Sequence, residues 1–388
     1  MKEYEQPTDG QKAGIGRRRP RRLAVLLTVV GLISALMSVA APTVGAQEAR
    51  VIVNEGESIQ AAIDAAAPGT TIIVRGDHVE NLWINKSGIR LISQGATLTA
   101  PPSEPGHACS PLPDALVPLI CVTPTPGDGP PAPADYLNGV TISGFSLSDA
   151  MGDGIATVFV NNVQIFNNSI DNSGCDGIFV IFATGVYVSR NDVDGSACAG
   201  ISVNAGSLAR INRNSATDST FNGIAVNDVS RTIVRRNIVE NNCIGIGVVD
   251  GADQGFGIRA EEFPGHRARI TANTANNNNK TCPFGPELTV GLTGIIVAGV
   301  DNVLIRNNTA DNNASAEASL TAGGIVVSDF PNADGSFNQT TNVTVIGNRA
   351  KGNSSADGPL DMRIESEDIR SVKWNHCDVS TPDPSWCK

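Results

Sequence analysis

The sequence is poor in aromatic residues, histidine and methionine, and each shortage argues against a kind of site. Aromatic residues make up 4% of the 388 residues, and the chain has four histidines and four methionines. No Cys-x-x-Cys motif occurs, and the histidines lack the spacing of metal ligands. Copper prefers clustered histidine, cysteine and methionine ligands. We therefore expect no metal centre built on these residues and no bound cofactor.

Long apolar runs are also scarce, because only one segment is long and apolar enough to enter a membrane. Arg17–Arg19 and Arg21-Arg22 precede an apolar stretch from Leu23 to Ala41, which is followed by the small residues Val44-Gly45-Ala46. This order is typical of a secretory signal peptide with its cleavage site. We predict a signal peptide over residues 1–46, secretion of the remaining chain, and no membrane association after cleavage.

Positive charge is scarce in the predicted mature chain. Residues 1–46 hold seven basic and three acidic residues, so their removal changes the net charge from −11 to about −15. Such an acidic protein repels nucleic acid and anionic lipid. We therefore expect neither as a partner.

The sequence does contain, by contrast, a regular internal repeat. Five segments that alternate apolar and polar residues begin at 23-residue intervals, at positions 138, 161, 184, 207 and 230. Alternation with a period of two is typical of a half-buried strand. A Gly-Ile pair opens a further strand later in each coil. These pairs are Gly154-Ile155, Gly177-Ile178, Gly200-Ile201, Gly223-Ile224, Gly245-Ile246, Gly294-Ile295 and Gly324-Ile325.

An asparagine follows the first strand of the repeat in eight coils. These residues are Asn168, Asn191, Asn214, Asn237, Asn273, Asn308, Asn348 and Asn375. Inward-turned asparagines stacked in successive coils can pass amide hydrogen bonds along an axis, which satisfies polar atoms that are costly to bury alone. The sequence therefore predicts an all-β, parallel β-helix with three strands per coil, a 23-residue repeat and an asparagine ladder.

The open end of such a helix needs a cover. The segment from Gly56 to Ala67 places Ile59, Ile63 and Ala66 on one face of a short capping helix. We predict one domain over residues 47–388, with an N-terminal cap (47–100), a Pro/Gly-rich excursion (101–137), repeat coils (138–376) and a tail (377–388). We expect a monomer.

The opening Ser58–Ile63 and Gly69–Val74, followed by the repeated coils, resembles secreted right-handed parallel β-helix proteins of the pectin-lyase-like superfamily, with repeats similar to NosD-type β-helix domains. The resemblance covers about residues 50 to 376 and implies a ligand groove across the outer face of the third strand. Polygalacturonase-like motifs (Asn-Thr-Asp, Asp-Asp, Gly-His-Gly, Arg-Ile-Lys) and the epimerase-like Asp-Pro-His-Glu are absent. No catalytic residue is therefore carried over from the family.

Eight cysteines in an exported chain predict disulfides, although spacing alone leaves their connectivity open. Cys175 and Cys198 occupy the same position in adjacent coils, where a rung spacing of about 4.8 Å suits a disulfide. The further predicted pairs are Cys243–Cys282 between the next two coils, Cys109–Cys121 within the excursion, and Cys377–Cys387 in the tail.

Carboxylates recur at the end of the third strand in the later coils. Asp228, Asp250 and, two coils beyond, Asp329 each lie five residues after the glycine of that strand. Adjacent rungs would hold carboxylates about 5 Å apart and alternate rungs about 10 Å apart, close to the separations in retaining and inverting glycosidases. A crowded pair also raises one pKa, which suits a general acid. We take these residues as candidate catalytic groups, with the alternative that they only stabilise turns.

Long insertions interrupt the repeat near these carboxylates. They run from Val249 to Gly265, from Ala275 to Leu292 and from Asp329 to Thr340, and they would form the walls of a groove. The first insertion also carries side chains that could complete a site. These are Arg259, Glu261, Glu262 and His266.

A basic stripe follows the first strand of the coils. Its projecting residues are Arg210, Arg235, Arg269 and Arg306, with Tyr187 nearby and Arg190, Arg213 and Arg236 in a column beside them. Arginine binds carboxylate and sulfate groups through bidentate hydrogen bonds. The stripe therefore predicts binding of an anionic glycan. The alternative is pairing with the turn acids Asp192, Asp194, Asp218 and Glu240.

Two further acidic columns, Asp153 with Asp176 and Asp171 with Asp194, could offer oxygen ligands to Ca²⁺. No regular calcium repeat supports this, and turn chemistry explains them as well. Two functions fit the sequence: a secreted enzyme that acts on polysaccharide, as a lyase or glycosidase, and a non-catalytic β-helix that binds glycan or serves as an extracellular scaffold.

Overall fold

Successive coils of the chain stack into three parallel β-sheets, as the repeat predicts. The computed structural model describes residues 49–102, 109, 117–125, 130–251, 267–283, 289–314, 319, 321–332, 335–356 and 358–388. The predicted signal peptide lies outside these ranges. Residues Glu48–Lys388 form one compact unit. Among the described residues, no helix combines the length and the apolar character needed to cross a bilayer.

Each sheet collects one strand from every coil that it spans. The first sheet contains Arg50–Val53, Thr71–Val74, Arg90–Ser93, Thr141–Ser143, Gln164–Phe166, Tyr187–Ser189, Arg210–Asn212, Ile233–Arg235, Arg269–Thr271, Leu304–Arg306, Val343–Ile346 and Ile369–Lys373. The second contains Asp77–Val79, Thr97–Thr99, Ser146–Ser148, Ser169–Asp171, Asp192–Asp194, Ser215–Thr217, Ile238–Glu240 and Thr274–Asn276. The third contains Leu82–Ile84, Ile120–Val122, Ile155–Val158, Ile178–Thr184, Ile201–Ser207, Asn222–Ser230, Ile244–Val249, Thr293–Ala298, Gly323–Ser328, Met362–Ile364 and Ser380–Thr381.

Four short two-stranded sheets among the described residues lie outside the three main sheets. They are Leu137–Asn138 with Val160–Asn161, Thr281–Pro283 with Thr289–Gly291, Phe330–Pro331 with Phe337–Asn338, and Ser354–Ser355 with Gly358–Pro359. Two 3₁₀ turns cover Pro133–Asp135 and Pro384–Trp386. The predicted excursion therefore contains a regular coil strand, because Ile120–Val122 pairs with Leu82–Ile84 and Ile155–Val158.

The core follows from alternation along each strand. Ile142, Ile165 and Val188 are paired in register across successive coils, and all three are fully buried. Their neighbours in sequence point outward, because successive side chains of a strand face opposite sides of its sheet. The one-to-one pairing of residues between neighbouring strands is broken in the last coil, where Val343 pairs with Ile369 and Thr344 with Ser371. Arg370 is therefore the extra residue of a β-bulge.

The α-helix Ile59–Ala65 packs on the first strands of the β-helix, and the predicted capping helix is confirmed. Ser58 caps it by accepting a hydrogen bond from the Ala61 amide at 3.1 Å. The Glu80 carboxylate accepts from the Ile59 amide at 2.9 Å. Ile59 and Ile63 are fully buried against the coils, so the helix closes the N-terminal end of the apolar core.

The asparagine ladder runs through all eight predicted positions. Each side-chain amide nitrogen donates to the side-chain oxygen of the next asparagine, at 2.9–3.1 Å. That oxygen also accepts the backbone N–H of the preceding asparagine, as Asn214 does from the Asn191 amide at 2.9 Å. The second amide hydrogen goes to a strand carbonyl, such as that of Val188 from Asn214. No polar atom of these buried side chains is left without a partner.

A second column of the same kind lies five residues further along each coil. Asn242, Asn278, Asn313 and Asn353 are linked at 3.0 Å and end on the Asp361 carboxylate. Earlier coils place serine there, and these residues are Ser173, Ser196 and Ser219. The sequence spacing contains this second ladder, but the change from serine to asparagine conceals it.

All four predicted disulfides are present. The Cα atoms of Cys175 and Cys198 lie 4.5 Å apart in adjacent coils. The other three pairs are Cys109–Cys121, Cys243–Cys282 and Cys377–Cys387.

We expect Asn214→Ala to lower the free energy of unfolding by about 2–4 kcal/mol. The change strands the Asn191 amides and the Val188 carbonyl, and each buried group left without a partner costs about 1–3 kcal/mol. Asn212→Ala, two residues away on the outer face of the same coil, should change stability by less than about 0.5 kcal/mol. Denaturant unfolding measures both. Equal effects of the two variants would show that the ladder does not stabilise the fold.

Candidate functional site

The outer face of the third sheet is largely covered, and the groove expected there is not open. Ala156, Val158 and Ile181 pack under Phe159 and Phe182 together with the Cys109–Cys121 disulfide. In later coils most outward residues are also less than a tenth exposed, although Asn227 and Ser328 are half-buried. The covered residues include Ser202, Asn204, Ala225, Ile296, Ala298 and Val326. The repeat correctly indicates which side chains point outward, but it carries no information about what packs over them.

A chain of hydrogen bonds crosses this covered face. The Ser202 hydroxyl bonds to the Asp176 carboxylate and accepts from Asn204 Nδ2 at 2.8 Å. Asn227 Nδ2 in turn donates to Asn204 Oδ1 at 2.8 Å. Asn227 directly precedes Asp228. The polar chain therefore runs from Asp176, just before the start of one strand, to the residue beside Asp228, near the end of another.

Asp228 and Asp250 lie on adjacent rungs and form a hydrogen-bonded carboxyl pair. Asn227 pairs with Val249 in the sheet, which places the two following aspartates side by side. Asp228 Oδ1 also accepts the Gly251 amide at 2.9 Å. Burial raises the pKa of Asp228 to about 7, with further increases from the hydrogen bond and the charge of Asp250, while the Gly251 amide opposes the shift. The pair can therefore hold one proton near neutral pH.

The predicted acidic column is not a single cluster. Asp329 follows two rungs after Asp250, with Gly299 between them, a Cα separation of about 10 Å at the usual rung spacing. Its carboxylate accepts the Thr340 amide at 2.8 Å. The charge of Asp250 affects the pKa of Asp228, whereas a rung that carries Gly299 separates Asp329 from Asp250. The predicted auxiliary residues Arg259, Glu261, Glu262 and His266 lie outside the described residues.

A second acidic pair, Asp153 and Asp176, lies at the amino ends of two adjacent strands of the third sheet. Burial raises the pKa of Asp153 to about 7, opposed by the Asp176 amide, which donates to Asp153 Oδ1 at 2.9 Å. Burial and the charge of Asp153 raise the pKa of Asp176 well above its usual value, while the Ala199 amide and Ser202 oppose this. Each of the two carboxyl groups thus accepts a hydrogen bond from a backbone amide.

Among the described residues, one group gathers metal-type ligands: Cys175, Asp176 and Cys198. Both sulfur atoms belong to a disulfide and are not thiolate ligands. Asp171 and Asp194 are paired on adjacent rungs of the second sheet. Burial, followed by the charges of Asp194, Asp192 and Asp149, raises the pKa of Asp171. The fold thus aligns the acidic columns proposed for Ca²⁺, but in the described part of the chain no third carboxylate joins Asp153 and Asp176 in a ligand cluster.

The outer face of the first sheet is open and basic. Arg210 pairs in register with Tyr187 on one side and with Ile233 on the other. Ile233 pairs in turn with Arg269, which therefore lies two rungs from Arg210. Arg235 and Arg306 flank Thr271 in the neighbouring column. All four arginines are exposed and Tyr187 is half-buried. The fold therefore brings the predicted arginines onto one surface, with members of each column two rungs apart.

These arginines do not pair with the turn acids. Across the described ranges, no salt bridge within 4.0 Å joins the stripe to Asp192, Asp194 or Glu240, and Asp218 lies 3.8 Å from Lys280 instead. Arg190, Arg213 and Arg236 occupy the left-handed turn before the ladder, with φ values of 55–59°. Ala272 and Asn307 adopt the same conformation in later coils, so the turn reflects the architecture and leaves the guanidinium groups at the surface.

Comparison with known proteins agrees with this architecture. Residues 134–261 match the family described as a right handed beta helix region. No curated protein sequence matches the chain.

Several solved structures have a similar course of the chain. The A-module of a mannuronan C-5 epimerase from Azotobacter vinelandii has a TM-score of 0.46 and 16% identity, over 84% of this chain and 94% of that one. A periplasmic alginate epimerase has a TM-score of 0.40 and 14% identity, over 84% and 82%. The catalytic domain of a GH87 α-1,3-glucanase bound to nigerose has a TM-score of 0.46 and 14% identity, over 88% and 67%. By its fold, the chain is a right-handed parallel β-helix.

The acidic pair Asp153–Asp176 gives a pH-dependent prediction. Because folding raises the pKa of Asp153 from 3.8 to about 7, the folded state binds more protons between these values, and this contribution to stability falls as the pH rises through that window. Asp153→Asn keeps the oxygen that accepts the Asp176 amide but cannot ionise. We expect its free energy of unfolding to exceed that of the wild type increasingly from about pH 4 to about pH 8, by up to about 4 kcal/mol.

Denaturant unfolding at several pH values tests this expectation. Asp135→Asn, at an exposed carboxylate, is the matched control and should show no such growing difference. A stability difference for Asp153→Asn that stays constant with pH would contradict the assigned shift.

Proposed function

We propose that the protein is exported and binds an acidic polysaccharide along the outer face of its first sheet. The observation that carries the proposal is the set of four exposed arginines, Arg210, Arg235, Arg269 and Arg306, that share this face and form no ion pair with a described residue. Guanidinium groups left free at a surface can each bind a carboxylate or sulfate through two hydrogen bonds.

The spacing of the stripe suits a linear polymer. Arg210 and Arg269 lie two rungs apart, as do Arg235 and Arg306, which corresponds to about 9.6 Å along the axis in each column. Two parallel rows of cations offset by one rung offer repeated contacts to a chain that carries charge at regular intervals. Several weak contacts on one polymer combine into useful affinity.

Export is supported by the four disulfides. Such bonds form and persist in oxidising compartments outside the cytosol. The polymer is therefore proposed to be an extracellular or cell-envelope glycan.

The double variant Arg210→Gln/Arg235→Gln tests the surface. We expect its affinity for polygalacturonate or alginate, measured by calorimetry, to fall about tenfold, because each exposed ion pair contributes up to about 1 kcal/mol. Wild-type binding should weaken as sodium chloride is raised, since salt screens exposed charges. Dextran, which is neutral, should not bind.

The control is Arg50→Gln, which removes one positive charge, half the change in the double variant, at an exposed arginine in the first strand of the same sheet. It should bind as the wild type does. If no acidic glycan binds, or if the control loses as much affinity as the double variant, the proposal is wrong.

The Asp228–Asp250 pair favours a second candidate, cleavage of a polysaccharide by acid–base chemistry. A carboxyl whose pKa lies at about 7 can donate a proton to a leaving group near neutral pH. In this scheme Asp228 is the acid and Asp250 the group that maintains its proton. The covered sheet around the pair is the reason that we rank this candidate second.

The enzyme hypothesis makes a distinct prediction. Purified protein would release reducing ends or unsaturated products from a glycan in a broad panel, with turnover decreasing above about pH 7 as Asp228 loses its proton. Asp228→Asn and Asp250→Asn would each abolish it, whereas Asp329→Asn would not if the pair acts alone. Binding of acidic glycan with no product from any substrate would exclude catalysis.

A further inference from the structure

A concave site lies at the end of the basic face of the first sheet, and the proposed polymer binding by the four stripe arginines does not explain it. It is open, has a volume of about 350 Å³, and spans the last four coils of the first sheet. Its charged lining consists of Arg267, Arg269 and Arg370, and its floor includes Val303 and Leu304. A concavity of this size is at the lower end of the range of small-molecule sites, so it fits one substituted sugar or one compact anion.

The chain brings the three arginines together from distant positions. Arg269 projects outward from a regular strand, and Arg267 occupies the left-handed turn that precedes it, with φ of 64°. Arg370 comes from the final coil, where it is the extra residue of the bulge between Ile369 and Ser371. Bulges reorient a side chain relative to the regular strand and are frequent beside functional sites. Without the extra residue, the last coil would have no arginine in this register.

The other polar groups of the site are already engaged in the turns. Asn342 Nδ2 donates to Asn302 Oδ1, and the Asn342 backbone amide donates to Asp368 Oδ2 at 3.0 Å. Asp301 accepts hydrogen bonds from Thr341 and Asn302. Within the described ranges no ion pair involves Arg267, Arg269 or Arg370. The guanidinium groups are therefore the donors that a ligand would meet.

We propose that this concavity binds one tetrahedral oxyanion, the sulfate or phosphate monoester of a substituted glycan. Three cations exceed the charge of a single carboxylate, whereas a phosphate monoester carries a charge of about −1.5 to −2 and three strong acceptor oxygens. Arginine forks suit these oxygens better than a point charge does. The glycan as carrier rests on the proposed function, but the oxyanion site does not.

The test uses the mature protein with inorganic phosphate, inorganic sulfate and acetate as probes, at about pH 7.5 and low ionic strength. Calorimetry is expected to show phosphate or sulfate binding about tenfold tighter than acetate, because each carries a charge of about −2 and more acceptor oxygens for the three guanidinium groups than a carboxylate does. Arg370→Gln and Arg267→Gln should each weaken oxyanion binding by about tenfold. Glucose 6-sulfate and glucose 6-phosphate then identify which ester the site prefers.

The matched control is Arg50→Gln, which removes an exposed arginine in the first strand of the same sheet, outside both the stripe and the cavity lining. It should bind phosphate as the wild type does, and thermal melting verifies that each variant is folded. The proposal is overturned if neither oxyanion binds, if acetate binds equally well, or if all three variants lose the same affinity. Oxyanion binding that depends on Arg370 without any polysaccharide binding would refute the proposed function and leave this site intact.

Discussion

The structure depends on one interaction, the hydrogen bond between stacked asparagine amides in the interior. An amide buried alone would destabilise the fold, but each ladder amide meets a copy of itself one coil away at about 3 Å. The same side chain also donates to a strand carbonyl of the preceding coil, and it directly follows a residue in the left-handed conformation. The ladder therefore links the coils from Asn168 to Asn375 in one register, and the positions of their outward side chains follow from that register.

This dependence explains why the coils differ in length without loss of order. The spacing between successive ladder asparagines is 23 residues in the early coils and reaches 40 between Asn308 and Asn348. Extra residues enter at the turns, where they can fold as hairpins such as Phe330–Pro331 with Phe337–Asn338. The scaffold and its decorations are thus largely independent, and surface chemistry can vary while the core stays the same.

The periodic part of the molecule was predictable from the sequence, because periodicity reports directly on which side chains face inward. The ladder, the Cys175–Cys198 disulfide and the outward arginines all follow from the position of a residue within the repeat. The coverage of the third sheet did not follow, because it depends on how the aperiodic segments pack. The raised pKa of Asp228 depends on the burial of its side chain and the nearness of Asp250, which the column alone does not specify.

Arg370 shows the limit most clearly. A bulge is invisible to a search for a fixed repeat, and it moves one arginine to a place that a regular coil would leave empty. The second ladder was missed for a related reason, since a column that changes from Ser219 to Asn242 looks like two unrelated patterns.

That second column gives the β-helix an unequal resistance to being pulled apart along its axis. Coils from Asn242 onward are tied by two rows of amide bonds, whereas in the coils of Ser173 and Ser196 the hydroxyls have no hydrogen-bond partner among the described atoms. The Cys175–Cys198 bond lies two residues further along those same turns. A covalent tie thus reinforces a section that has one row of amide bonds instead of two, and reduction would lower its resistance to tension.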